Sequence, residues 1–214
     1  MSDIFREVDE ELRRDRAVQL WRKYGRYIIA VALVIVVATV GYQGWKTYRQ
    51  QSRLERSEAF AAASAEAAAG NTEAALEGLR ELAANGAGGY GTLAAFERAR
   101  LLAAQGDEQG AIEIWDRLAE GPDVGPAFQS VATLFSVMHQ LDEEDAARLE
   151  ARLAPLTEPG SAFRSMALEL TALLALRQGN RGRARELYTE LADDLTAPGG
   201  ARARAAQMLE ALEP

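Results

Sequence analysis

The sequence predicts an all-α chain made of a single N-terminal transmembrane helix followed by a stack of helical hairpins. Three observations predict it. An unbroken apolar run lies between Tyr27 and Trp45. After it the alternating runs that mark strands are missing, and long Ala/Leu/Glu/Arg segments are punctuated by Gly and Pro. Those punctuation points also recur: Asn71, Asp107, Asp142 and Asn180 are 36, 35 and 38 residues apart.

The tail comes first. From Ser2 to Arg26 it spaces Ile4, Val8 and Leu12 four apart, then Val18, Trp21 and Tyr24 three apart, on a charged background, which is one face of a helix. Asp3 suits its cap. A solvated juxtamembrane helix lying on the membrane and a partner-binding helix both fit this pattern.

The apolar run Ile28 to Val40 carries no charge between Arg26 and Lys46. At about 1.5 Å per residue, Tyr27 to Trp45 reaches roughly 28 Å, close to the hydrocarbon thickness of a bilayer. Trp21, Tyr24 and Tyr27 stand before it and Tyr42, Trp45 and Tyr48 after it, as headgroup-level aromatic belts require. A buried core helix is the alternative, but the run is apolar all round. Arg13, Arg14, Arg16, Arg22, Lys23 and Arg26 outnumber Lys46, Arg49, Arg53 and Arg56, which holds the N-terminus inside. Read as a cleaved signal peptide, the chain would have a charged region of 26 residues with six acids and only a weak Thr39-Val40-Gly41 site, so a retained anchor is expected.

Beyond the anchor the chain is acidic. Residues 1–56 hold 11 basic and 7 acidic side chains, whereas residues 57–214 hold 13 and 25. A phosphate-neutralising surface is therefore absent from the larger part, which argues against a nucleic-acid partner. The chain has no cysteine, so disulfides and thiolate metal sites are excluded.

Each capping residue is followed four positions later by alanine: Ala75, Ala111, Ala146 and Ala184. Four and seven positions further on come Leu79/Leu82, Trp115/Leu118, Glu150/Leu153 and Tyr188/Leu191, in which only Glu150 is not apolar. Twelve positions before the alanines stand Ala63, Ala99, Leu134 and Ala172. Small residues where two helices cross, with large apolar residues on the same face, let a helical hairpin close.

A helix–turn–helix unit of about 34 residues with this small/large signature, and with Pro122, Pro159 and Pro198 near unit ends, resembles the tetratricopeptide repeat. The resemblance covers residues 54–197 and implies a right-handed tetratricopeptide-like stack of four divergent repeats. Residues 198–214 then form the capping helix that such stacks require. The expected division is a cytoplasmic amphipathic tail at 1–26, the transmembrane helix at 27–45, a juxtamembrane linker at 46–53, the repeats and the cap. A charged tail beginning Met-Ser-Asp-Ile-Phe-Arg-Glu-Val-Asp-Glu-Glu, one span and divergent repeats together resemble the bacterial YfgM-type family. That resemblance implies an inner-membrane protein whose repeat domain is periplasmic, a scaffold associated with the SecYEG translocon and periplasmic chaperones. Its partners would be the translocon, chaperones or exported polypeptides. An envelope assembly or division scaffold is the first alternative, and an envelope-acting enzyme is the second.

Motifs for chemistry are weak throughout. Gly86-Ala87-Gly88-Gly89-Tyr90-Gly91 satisfies G-x-G-x-x-G but follows a helix rather than a strand, so a loop between repeats is expected and no cofactor. His139 is the single histidine, and with no cysteine it supports neither a metal site nor a catalytic dyad; a place at a helix C-terminus explains it. Asp142-Glu143-Glu144-Asp145 reads as acid at a helix N-terminus. No enzyme, cofactor or metal is expected.

A partner site is implied by position within the repeat. The resemblance implies that one face of each first helix lines the concave side of the stack. Its fifth positions are Phe60, Phe96, Val131 and Glu169, and its ninth are Ser64, Arg100, Phe135 and Leu173. The candidate partner-binding residues are Phe60, Phe96, Arg100, Val131, Phe135 and Glu169, a groove suited to an amphipathic helix or an unfolded exported segment. Core packing against the next repeat is the alternative for the three phenylalanines.

Overall fold

The computed structural model describes the backbone of residues 3–85 and 89–213, and the side chains of residues 23, 27, 33–84 and 89–213. All the described secondary structure is helical: α1 (Asp3–Ala68), α2 (Thr72–Asn85), α3 (Gly89–Ala104), α4 (Glu108–Glu120), α5 (Pro126–Gln140), α6 (Ala146–Thr157), α7 (Arg164–Arg177), α8 (Arg181–Asp193) and α9 (Gly199–Ala211). The chain divides into two compact units, Met1–Glu55 and Arg56–Pro214.

In the first unit, every side chain from Leu33 to Gln51 is exposed, including Leu33, Val34, Ile35, Val36, Val37 and Val40. The Arg49 guanidinium lies 3.8 Å from the centroid of the Trp45 ring, a cation–π contact. Among the described residues no helix is long and apolar enough to cross a membrane. The span expected at 27–45 includes residues 28–32, whose side chains lie outside the described residues, as does the expected amphipathic face of the tail at Ile4, Val8, Leu12, Val18, Trp21 and Tyr24.

The second unit repeats one piece of local chemistry. The first, second and fourth hairpins turn at Gly70-Asn71, Gly106-Asp107 and Gly179-Asn180, with the glycines at φ +85°, +88° and +74°. A left-handed residue ends the first helix of each hairpin, and only glycine adopts it without a Cβ clash. The same two hydrogen bonds then close each turn. Gly106 N–H donates to Ala103 O (3.0 Å) and Asp107 N–H to Leu102 O (2.9 Å), and the glycine and Asx of the other two turns do likewise. In the second and fourth hairpins the Asx side chain also starts the next helix, with Gly110 N–H donating to Asp107 Oδ1 (3.0 Å) and Arg183 N–H to Asn180 Oδ1 (3.1 Å).

The third hairpin differs, and here the expectation for Asp142 fails. Leu141 stands where the others have glycine and stays right-handed at φ −52°. The turn consequently runs on through Glu144, and the cap of α6 is Asp145, whose Oδ1 accepts from Arg148 N–H (2.9 Å). Arg177 of α7 donates from its guanidinium to the carbonyls of Leu141 and Glu144, binding groups that the missing glycine motif leaves open. The three-residue shift also removes the anomaly at Glu150. Counted from Asp145, the inward positions of α6 are Leu149, Leu153 and Leu156, with Leu149 where the other hairpins place alanine. Leucine at both crossing positions, Leu134 and Leu149, holds the helices apart, and α5 and α6 pack least extensively of the consecutive pairs from α2 to α9.

The core forms as clusters, each built from three consecutive helices. Ala63, Ala75, Leu79, Leu82, Ala94 and Leu101 join α1, α2 and α3. Trp115 and Ile114 of α4 pack between Ala99 of α3 and Ala132 of α5. Leu149 and Leu153 of α6 pack between Leu134 of α5 and Leu174 of α7. Tyr188 and Leu191 of α8 pack between Ala172 of α7 and Ala201 and Ala205 of α9. Each second helix is thus enclosed by its own first helix and that of the next unit, and α9 supplies the missing neighbour at the end. A buried leucine in such a setting contributes about 1.5–3 kcal/mol.

A polar knot ties the third hairpin to the second. Wholly buried Ser136 donates to Asp116, accepts from Gln140 Nε2 (2.6 Å) and from Arg152 Nη2 (3.0 Å), and Arg152 Nη2 also donates to Asp116 Oδ1 (2.5 Å). Each member is satisfied, as burial demands.

Candidate functional site: two cavities joined at Phe135

The first helices of the units present a second face that borders the core. Along it lie two cavities of about 530 and 520 Å³ that share one wall residue, Phe135 of α5. Phe60, Phe96, Arg100 and Phe135 line the first, together with Leu93, Trp115 and His139. Val131, Phe135 and Glu169 line the second, with Met138, Phe163, Met166, Leu173 and Arg204. All six candidate residues therefore face one or other cavity. Ser64, at the ninth position of the first unit, belongs to neither wall.

The aromatic walls are built by helical spacing and by contact between neighbouring units. Phe96 meets Phe128 at 6.0 Å and Phe135 at 6.4 Å between ring centroids, and Trp115 stacks on Phe135 at 5.6 Å with 23° between planes. His139, one turn after Phe135 on α5, lies 4.7 Å from the Trp115 ring, and its Nδ1 is 4.0 Å from Glu108 Oε2. Such pairs add about 0.5–1.5 kcal/mol each beyond the area they bury. At the first unit, Phe60 packs on Tyr90 at 6.1 Å, and Tyr90 Oη donates to Ser57 Oγ (3.0 Å). This contact draws the start of α3 back to Gly89. Gly89, Tyr90 and Gly91 are therefore helical and not loop as expected, while Gly86 to Gly88 lie outside the described residues.

The two readings of the phenylalanines both apply, to different residues. Phe60 and Phe96 are half-buried and pack against core clusters while still facing the cavity. Phe135, 38% exposed, is a member of no cluster and touches the core through its stack on Trp115.

Each cavity has one arginine–carboxylate fork. Arg100 Nε and Nη2 donate to Glu97 at 2.9 and 2.6 Å, and Arg204 Nε and Nη2 donate to Glu169 at 2.8 Å each. The hydrogen bonds from Arg100 hold the Glu97 carboxyl below its ordinary range, against the opposing effect of burial, and raise the guanidinium in turn. The Arg204 guanidinium is likewise raised by its hydrogen bonds to Glu169. Both forks are neutral as units, so the lining is apolar with its charges already paired.

Spacing alone missed several lining residues. Met138 and His139 lie three and four positions past Phe135, a signal that was available. Arg204 lies 35 residues past Glu169, on the capping helix, and nothing local announces their pairing. Among the described residues no group of three metal-ligating side chains converges.

Residues 19–213 match the family model described as Tetratricopeptide repeat-like domain. No curated protein and no solved structure is similar enough to the chain to match it. With hairpins closed by recurrent turns, three-helix core clusters and a match over most of its length, the chain belongs to the tetratricopeptide repeat-like domain family.

Proposed function

We propose that the protein is a non-catalytic interaction scaffold, anchored in the bacterial inner membrane by residues 27–45 with its N-terminus cytoplasmic. Residues 54–197 form four repeats, closed by the cap at 198–214, and hold a partner-binding groove on the periplasmic side. The groove takes an apolar protein segment, supplied by exported polypeptides or by a chaperone or translocon subunit near the site of export. The observation that carries the reading is the pair of adjoining apolar cavities around Phe135, whose charges are already neutralised by their own partners. An occupant therefore gains by burying apolar surface and needs no counter-charge. The family match supports a protein-binding role in general. The anchor is supported by the exposed apolar side chains from Leu33 to Val40 and by the aromatic residues flanking them.

The deciding experiment is crosslinking in intact cells followed by capture on the anchored chain, comparing wild type with Phe135→Ala. Phe135 belongs to no core cluster but contacts Trp115 and Phe96, so the variant is expected to stay folded with a stability loss of about 0.5–1.5 kcal/mol per lost ring contact, short of the cost of a core phenylalanine, and to lose captured polypeptide. If Phe135→Ala captures as well as wild type, the groove is not the binding site. A reporter enzyme active only outside the cytoplasm, fused after Pro214, is expected to be active; inactivity overturns the orientation.

A further inference from the structure

The chain has four methionines and no cysteine, so methionine is its only sulfur. Two of them, Met138 of α5 and Met166 of α7, are 43% and 49% exposed, and both line the second cavity. Met208, by contrast, packs against the cluster formed by α7, α8 and α9. Apart from the paired Glu169 and Arg204, the rest of the wall is apolar and includes Val131, Phe135, Phe163, Leu170 and Leu173. Thioether oxidation depends on exposure, and it turns a flexible apolar side chain into a polar one.

We infer that Met138 and Met166 form a paired oxidation site through which hydroperoxides switch the second cavity from apolar to polar and release its occupant. In the step, the thioether sulfur attacks the outer peroxide oxygen. The O–O bond breaks as the S–O bond forms, sulfur loses two electrons, and the departing alkoxide or hydroxide takes the proton of the transferred hydroxyl, leaving as alcohol or water beside the sulfoxide. Each sulfoxide places a strong acceptor in a wall that is apolar apart from the Glu169–Arg204 fork, where Arg204 Nε and Nη2 already donate to Glu169. An occupant that meets this wall with apolar side chains strips water from the new acceptor and binds more weakly for it. The inference rests on the groove reading for its consequence, though not for its chemistry.

The test uses the full chain in lipid nanodiscs, hydrogen peroxide as oxidant, and reduced, carboxymethylated α-lactalbumin as an unfolded polypeptide. Peptide mass spectrometry over a time course is expected to show Met138 and Met166 gaining oxygen about tenfold faster than Met208. Binding of the unfolded polypeptide is expected to weaken about tenfold once both are oxidised. The double variant Met138→Leu/Met166→Leu is expected to bind after peroxide as tightly as it does before, whatever its untreated affinity. Oxidation of Met208 at an equal rate overturns the site. Equal binding before and after oxidation, or an equal loss in the double variant, overturns the switch while leaving the groove reading intact. If the untreated chain binds nothing, the groove reading falls and the switch falls with it.

Discussion

The hairpin α3–α4 and the hairpin α5–α6 reverse the chain with different chemistry. In the first, Gly106 and Asp107 complete the turn in two residues, and Ala99 and Ala111 let the helices close. In the second, Leu141 refuses the left-handed conformation, the turn lengthens to Asp145, and Leu134 and Leu149 widen the crossing. What the wide hairpin lacks locally it receives from other units, through the Arg177 guanidinium on its turn and the knot of Asp116, Ser136 and Arg152. A repeat that departs from its consensus is thus held by its neighbours. Beside this wide hairpin the two cavities meet, at Phe135 of α5.

Opposite substitutions at the crossing position should separate the two hairpins most strongly. Leu149→Ala removes a fully buried side chain and is expected to cost about 2–5 kcal/mol in denaturant unfolding. Ala111→Leu places the same large residue into the narrow hairpin and is expected to cost about 1–3 kcal/mol by overpacking. If Ala111→Leu is neutral, crossing width is not set by these positions. At the turns, Gly106→Ala meets no atom within 4 Å, so its cost is torsional, about 1–2 kcal/mol. Arg177→Ala is expected to destabilise the chain by about 1 kcal/mol. It should also raise hydrogen exchange at the turn between α5 and α6 while leaving the turn at Gly106 unchanged; equal exchange at both would show that the clamp has no local role.

The smallest effect is electrostatic. Glu97 has its folded pKa lowered by Arg100, so its contribution to stability is present above the unfolded carboxylate pKa and is lost as pH falls through the folded value. Glu97→Gln should flatten the acid side of the stability profile slightly, seen as a smaller drop in Tm between neutral and acid pH. An unchanged acid limb would show that the fork is inert.

Much of this architecture is legible in the chain because its causes are local. Helix, turn glycine and Asx cap are decided within about five residues, so Gly70-Asn71, Gly106-Asp107 and Gly179-Asn180 could be read directly, as could the buried alanines and the face carrying Phe60, Phe96 and Phe135. The third turn misled because four acids in succession offer several caps, and choosing Asp145 over Asp142 depends on Leu141 remaining helical and on Arg177, 36 residues away, binding the carbonyls. The cavities belong to a third category. Their walls combine α1, α3, α4 and α5, or α5, α7 and α9, and their neutrality depends on forks such as Arg204 with Glu169. The sequence by itself determined the helices, their period and the residues on each face, since these rest on backbone torsion and hydrogen bonding between near neighbours. Only the stacking of units decided which faces meet, because side-chain contact across 30 residues or more has no local signal and is set by how closely successive helices approach.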